Sequence, residues 1–551
     1  MSYTAHLDTF ARDNLPPREL WPEFSFDLPE LRYPERLNCA TELLDRAIER
    51  GLGDKVAFYT PNERWTYREL LERANRIARV LVDDFDLVPG NRVLLRAANN
   101  PMLVACWFAV LKAGGIAVTT MPLLRARELA VILDKAQIRF ALCDERLGEE
   151  LEQARARAPV CERICCFNGS GAPGAAAELE ARMRRATPEF ENIDTGSDDV
   201  ALIAFTSGTT GKPKGTMHFH RDVMAICDCF PCSTLKPATD DVFIGSPPIG
   251  FTFGLGGVVT FPMRVGASAV LLEAAPPDVL LEVIQQFEAS VCFTSPTAYR
   301  MMQGKAADFD LTSLRRCVSA GEPLPLPTFE AWRKTTGLQI IDGIGSTEML
   351  HIFISAADES IRPGATGRPI PGYRAMVVDD DMRPLPPGAI GRLAVRGPTG
   401  CRYLADERQK EYVRNGWNLT GDAYKVDEDG YFWFQARTDD MIISAGYNIA
   451  GPEVEEALLE HDLVAECAVV GAPDPVRGQI VKAFVVPRQG TAGSDVLGKE
   501  LQEFVKQRIA AYKYPRAIAF LDALPRTETG KVQRFRLRQM EAERAAAAPV
   551  A

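Results

Sequence analysis

Between about residue 55 and residue 345 the chain alternates helix-spaced and strand-like segments, and this alternation most restricts its fold. Thr66-Tyr-Arg-Glu69 has the form of a capping box, in which a hydroxyl and a carboxylate satisfy the first free amides of a helix. Leu70, Ala74, Ile77, Ala78 and Leu81 then recur at helical spacing. Val93–Leu95, Val200–Phe205, Ala269–Leu272 and Val291–Thr294 are short apolar runs of the kind that form buried strands. Such alternation builds an α/β architecture. Leu103–Leu124 is long enough to cross a bilayer. Lys112, the Gly114-Gly115 pair and Pro122 instead divide it into a buried helix and a buried strand, so no membrane association is expected.

The texture changes further on. From Pro363 to Gly430 glycine and proline are frequent and the strands short, which predicts a β-rich subdomain. Beyond Asp439 a small α+β unit of about 110 residues is expected. It has strand patterns at Ala465–Val470 and Val481–Val486 and a helix pattern at Leu501–Ile509. The tail EAERAAAAPVA is expected to fray. The predicted division is a large N-terminal domain, 1–438, of α/β subdomains plus the β-rich one, and a small mobile C-terminal domain, 439–551. The N-terminal MSYTAHLDTFARDNLPPREL has no signal-peptide pattern, and thirteen scattered cysteines read as reduced thiols. The cytoplasm is the expected place. A formal charge of −11 argues against bulk nucleic-acid binding. Oligomeric state, monomer or homodimer, stays open.

Thr206 to Gly215 reads TSGTTGKPKG, straight after the strand pattern ALIAF. Small residues let backbone amides approach an anion, while hydroxyls and lysines add donors and charge. The same composition also suits a plain surface loop. It is not a G-x-x-x-x-G-K-[ST] loop, since Pro213 stands where the second glycine should be. TSGTTGKPKG resembles the phosphate loop of the adenylate-forming superfamily of acyl- and aryl-CoA ligases, firefly-type luciferases and peptide-synthetase adenylation domains.

Other segments carry the resemblance in order, from RWTYREL at 64–70 to PRTETGK at 525–531. It implies that Thr206, Ser207, Gly208, Thr209, Thr210 and Lys214 contact phosphates. DGIGSTE at 342–348 is similar to a family motif in which Glu348 holds Mg2+ and Thr347 meets the α-phosphate. By the same resemblance Gly321, Glu322 and Asp342 border adenine. In TGD, Asp422 accepts from the ribose hydroxyls, and Arg437 is a second ribose or phosphate contact. Asp439 falls at the family's hinge, Gly446 in a loop lining the pantetheine channel, and Lys531 at the lysine that reaches the substrate carboxylate and α-phosphate. The implied substrates and cofactors are ATP, Mg2+ and coenzyme A. Arg477, Lys482, Lys506, Arg508 and Lys513 could give a basic face for CoA phosphates, or a solvated surface.

Substrate choice is written more faintly. Phe251, Phe253 and Tyr299 offer flat walls for an aromatic ring or simply pack in the core. Gly345 and His351 flank the same stretch, and STEMLHIF resembles benzoate-type CoA ligases, in which a histidine borders the aryl pocket. The N-terminal segment through WPEF resembles 2-aminobenzoate–CoA ligases within that group. The implied partner is a small aromatic carboxylic acid, 2-aminobenzoate first and benzoate second. A carrier-protein adenylating enzyme and a fatty acyl–CoA ligase are more distant alternatives. His218 and His220, followed by Cys227, Cys229 and Cys232, suggest zinc, but their spacing fits no standard site and helix packing is expected.

Overall fold

The computed structural model describes every residue except 1–2, 170–176, 207–212, 323, 325, 438–440, 526–531, 533 and 548–551. The chain falls into two compact units. The larger comprises Met1–Pro122, Ala130–Phe205 and Gly215–Ala436, and the smaller Leu123–Leu129, Thr206–Lys214 and Arg437–Ala551.

The larger unit carries two mainly parallel sheets. One has six strands, in the order Arg163–Phe167, Phe140–Asp144, Arg92–Arg96, Ile116–Thr120, Val200–Thr206 and Lys214–Phe219. Thr66 and Glu69 form the capping box of helix Tyr67–Arg79, each side chain bonding to the other's backbone amide, an arrangement worth about 1 kcal/mol. Every residue of helix Pro101–Lys112 is buried, and strand Ile116–Thr120 follows, so the long apolar stretch divides at its glycines. Lys112, enclosed completely, is held by both carboxylate oxygens of Asp45 at 2.6 and 2.8 Å. No helix among the described residues is long and apolar enough to cross a membrane.

The second sheet has nine strands, with Ile340–Gly345, Arg316–Ser319, Val291–Thr294, Val242–Gly245, Ser268–Val270 and Val56–Tyr59 running parallel through its middle. Side chains alternate across it. Phe243, Phe293, Val318 and Ile341 join the main core, while Ile244, Cys292, Cys317 and Ile340 face a separate core with Tyr299 and Trp332. The glycine- and proline-rich stretch forms an antiparallel sheet from Arg374–Val378, Ile390–Arg396, Trp417–Val426, Val413–Arg414 and Phe432–Arg437.

In the smaller unit, strands Met441–Ser444, Tyr447–Ala450, Val464–Asp474, Gly478–Pro487 and Ala517–Phe520 form one sheet. Helices Gly451–Leu459 and Asp495–Lys506 contribute to its core. Within the described part of the tail, helix Arg534–Ala547 takes in Ala545, Ala546 and Ala547, where fraying was expected. Alanine is the strongest helix former, and Leu537 anchors the helix in a small apolar cluster. All thirteen cysteines are free, and all but Cys166 and Cys232 are buried.

Candidate active site

Strand Ile340–Gly345 delivers the acidic turn. Just past it, the Met349 and Leu350 amides bond to the Ser346 and Thr347 carbonyls, and Leu350 takes φ +70° before the chain returns as strand Ile352–Ser355. A Cβ on Gly345 would lie 2.7 Å from the His351 carbonyl, so glycine there admits the returning strand. Glu348 is buried and accepts a 2.5 Å hydrogen bond from the Tyr403 hydroxyl. His218 Nε2 lies 2.8 Å from the Thr347 carbonyl. The helix that follows packs as expected, and the Cys39 amide donates to His220 Nδ1.

Asp342 lies opposite Ser319 in the parallel sheet. Burial pushes its carboxyl well above the usual range, against the Gly343 amide and Ser319 hydroxyl, and its Oδ1 has no donor among the described residues. Gly321 turns at φ +90°, and Glu322 accepts from the Thr297 hydroxyl at 2.8 Å. Asp422 sits in a bulge. Arg392 pairs with Ala423 but Ala394 with Leu419, so three residues on one strand oppose five on the other, with Gly421 at φ +79°. The bulge re-aims the buried Asp422 side chain. Arg437 ends the strand Phe432–Arg437.

His351 is nearly inaccessible, at 2% exposure, inside a cage of phenylalanines. Its ring centroid lies 4.5 Å from Phe261, 5.6 Å from Phe253, 5.8 Å from Phe230 and 6.4 Å from Phe293. Burial pushes the imidazole down to about 3, only partly opposed by the Phe253 backbone, so it is neutral at pH 7. Neither ring nitrogen makes a hydrogen bond of good geometry among the described residues. A Cβ on Gly256 would come within 2.5 Å of His351 Nε2, and one on Gly257 within 2.7 Å of the Phe293 ring. Phe251 precedes helix Thr252–Leu255 and is half-buried.

Tyr299 is a correction. It is fully buried in the separate core, 5.0 Å from Trp332, and its hydroxyl donates to the Cys292 and Val318 carbonyls. Helix Pro296–Met302 packs on the sheet face opposite Phe293, so Tyr299 walls no site shared with His351. Phe230, Phe261, Phe293, His218 and Tyr403 take the places that sequence reasoning missed. Phe293 left a trace in the strand run Val-Cys-Phe-Thr, where it shares a face with Val291, and His218 left one that pointed to zinc instead.

In the smaller unit Gly446, φ +80°, and Ala445, φ +49°, form a two-residue hairpin turn between Met441–Ser444 and Tyr447–Ala450. The positive φ alone favours glycine there. The basic candidates separate. Lys482 pairs with Glu541, Lys506 with Glu503 and Arg508 with Glu460, while Lys513 is buried between Glu128 and Glu453. Arg477 lies where burial and Arg516 both depress it, with its Nε 3.3 Å from the Ser444 hydroxyl. Ser207, Gly208, Thr209, Thr210, Asp439 and Lys531 lie outside the described residues, and Lys214 opens strand Lys214–Phe219.

The donor set suits the expected groups. Asp342 keeps an orphaned buried oxygen, an acceptor of the kind an adenine edge would meet, and Thr206 an unpaired hydroxyl, among the described residues. Mg2+ takes one or two carboxylates plus phosphate oxygens rather than an all-protein cage, and the buried Glu348 carboxylate is a group of the kind such a site would use. No cluster of three or more His, Cys, Asp or Glu among the described residues could hold a metal by itself.

Residues 44–403 match the model of the AMP-binding enzyme family, and 453–531 that of the AMP-binding enzyme C-terminal domain. A benzoate–CoA ligase of Thauera aromatica is 33% identical over 517 residues, covering 93% of this chain and 97% of its own. An anthranilate–CoA ligase crystallised with anthranoyl-AMP superposes with a TM-score of 0.73 at 34% identity, over 94% of this chain and all of its own. A benzoate–CoA ligase from Burkholderia xenovorans LB400 gives 0.68 at 32% identity, over 91% and 100%.

Proposed function

We propose an acid substrate from one premise: this chain belongs to the AMP-binding enzyme family. It is an AMP-forming acid–thiol ligase that joins a carboxylic acid to CoA through an acyl-adenylate, using ATP and Mg2+. Its acid substrate is aromatic. Within that class we propose 2-aminobenzoate, with benzoate second. One observation supports this order, the neutral His351 inside its phenylalanine cage, whose ring nitrogens make no hydrogen bond of good geometry among the described residues. The rings suit a flat apolar substrate, and an amino group beside the carboxylate gives the imidazole a donor. Benzoate would fill the walls but leave that nitrogen unpaired, at a cost of about 1–3 kcal/mol.

The residue roles follow the same reading. A carboxylate and a triphosphate repel each other, and Mg2+ supplies the neutralising charge. Glu348 holds the metal, Thr347 contacts the α-phosphate, and Thr206, Ser207, Gly208, Thr209, Thr210 and Lys214 cradle the phosphates. Asp342, Gly321 and Glu322 border adenine, while Asp422 and Arg437 hold the ribose. Lys531 brings a cation to the carboxylate as it attacks the α-phosphorus and expels pyrophosphate. The CoA thiol then attacks the acyl carbonyl along a path lined by Gly446, and AMP leaves. Rotation of residues 439–551 about Asp439, relative to residues 1–438, exchanges Lys531 for Gly446 at one spot. The reaction belongs in the cytoplasm.

AMP release with ATP, Mg2+ and CoA, measured against 2-aminobenzoate, benzoate, hydroxybenzoates, phenylacetate and octanoate, tests the reading. CoA-dependent turnover strongest with 2-aminobenzoate is expected. Strongest turnover with benzoate moves the assignment to the second acid. A folded, ATP-binding protein inert toward all of them overturns it.

A further inference from the structure

Three consecutive residues of the acidic turn are each held by a different side chain. The Tyr412 hydroxyl lies 3.3 Å from the Ser346 hydroxyl, His218 Nε2 lies 2.8 Å from the Thr347 carbonyl, and the Tyr403 hydroxyl donates to Glu348 at 2.5 Å. Two of these share one short ladder. Strand Lys214–Phe219, which starts where the phosphate loop ends, pairs with residues 402–404. Thr216 lies opposite Tyr403, the Met217 amide donates to the Arg402 carbonyl, and the Leu404 amide to the Gly215 carbonyl. Opposed residues of an antiparallel pair share a face, as do residues two apart along a strand. His218 and Tyr403 therefore rise side by side onto Thr347 and Glu348.

The hydrogen bonds fix orientation. A carbonyl oxygen carries no proton, so His218 donates from Nε2, which sets where its protons lie. The Tyr403 hydroxyl fixes the plane of the Glu348 carboxylate, and Tyr412 packs edge-on against Tyr403 with centroids 5.7 Å apart. Behind them Asp222 and Arg402 form a completely enclosed ion pair, and Asp222 Oδ2 lies 3.8 Å from His218 Nδ1. Neither His218 nor Tyr403 has room to turn away, because both are fully buried.

We infer that His218 and Tyr403 are positioning residues for metal–nucleotide binding, locking the Thr347 carbonyl and the Glu348 carboxylate to the strand that leaves the phosphate loop. This rests on the reading of Glu348 as the Mg2+ ligand. Removing an outer partner of a metal ligand typically weakens metal affinity 10- to 100-fold.

The test is calorimetric affinity for ATP with and without Mg2+, together with Mn2+ binding by electron paramagnetic resonance in the presence of ATP. Tyr403→Phe, which removes only the hydroxyl, and His218→Leu should each cut the Mg2+-dependent gain in ATP affinity about 10-fold and weaken Mn2+ by a similar factor. Metal-free ATP affinity should stay near wild type. His218→Gln, which keeps an N–H near the place of Nε2, should recover most of the loss, an outcome that general loosening of the fold would not produce. If His218→Leu fails to fold, Tyr403→Phe carries the test alone. Wild-type metal dependence in folded Tyr403→Phe overturns the inference. Unchanged metal dependence in Glu348→Gln overturns instead the metal assignment beneath it.

Discussion

In the larger unit Asp222 and Arg402 are both fully enclosed and matched one to one, whereas in the smaller unit two buried carboxylates, Glu128 and Glu453, share the single cation of Lys513. The balanced pair stays charged. Burial opposes ionisation of Asp222, yet the Arg402 guanidinium and His218 hold its carboxyl down to about 2. The unbalanced cluster cannot keep both acids ionised. Burial and the neighbouring Glu128 carboxylate push Glu453 up to about 7 against the pull of Lys513, and Glu453 Oε2 has no donor among the described residues. The Arg125 and Ala510 amides and Lys513 favour the ionised form of Glu128. Tyr512, the other titratable group packed on Lys513, is itself pushed up by burial. A buried site thus chooses between an ion pair and a proton by counting its charges.

Breaking the balanced pair should cost most. Arg402→Met strands a buried carboxylate, and urea unfolding at pH 7 should show a loss of about 3–5 kcal/mol. A loss under about 1 kcal/mol would mean water reaches Asp222. Lys513→Met should cost less, about 2 kcal/mol at pH 7.5, because Glu128 and Glu453 can both take protons. That cost should shrink at pH 5.5, and the same denaturation measured at both pH values checks it.

The smallest effect separates the clusters by pH. Glu453 has a folded value raised above its ordinary 4.5, so its stabilising contribution is present at low pH and fades as pH rises through about 7. Asp222 is depressed from 3.8, so its contribution is present above that value and fades as pH falls through about 2. Glu453→Gln should flatten the stability profile between pH 5 and 7.5 and gain about 1 kcal/mol at pH 8. Asp222→Asn should lower stability by a constant amount above about pH 4, because it strands the Arg402 guanidinium, and that deficit should shrink only in the acid limb. Thermal melts across pH 2.5–8.5 distinguish the two, and identical profiles would refute the contrast.

Local signals were the ones the sequence stated clearly. The Thr66–Glu69 box needs only four residues and stands as read. The glycines after Lys112 mark where a helix ends, and the runs 465–470 and 481–486 lie within two paired strands of the smaller unit. What failed depended on partners far along the chain. Tyr299 belongs to the expected neighbourhood in sequence, but the choice of sheet face for its helix was made by Trp332 and Cys292. His218 looked like metal bait because its true partner, the Thr347 carbonyl, lies 129 residues away. The bulge that turns Asp422 is invisible in TGD alone, since it exists only against Arg392–Ala394 on the neighbouring strand.

The two glycines pressed against His351 and Phe293 have an evolutionary meaning. Every glycine codon becomes an alanine codon by one base change, and at Gly256 or Gly257 that change adds a single methyl group to a wall with no space for it. The wall must then yield by reorienting a ring, which reshapes what the cage can hold while costing about 1–3 kcal/mol in packing. On the proposed reading of this cage as the wall of the acid's site, new acids lie one mutational step from this chain, and surplus stability elsewhere in the fold sets how many such steps a lineage can take.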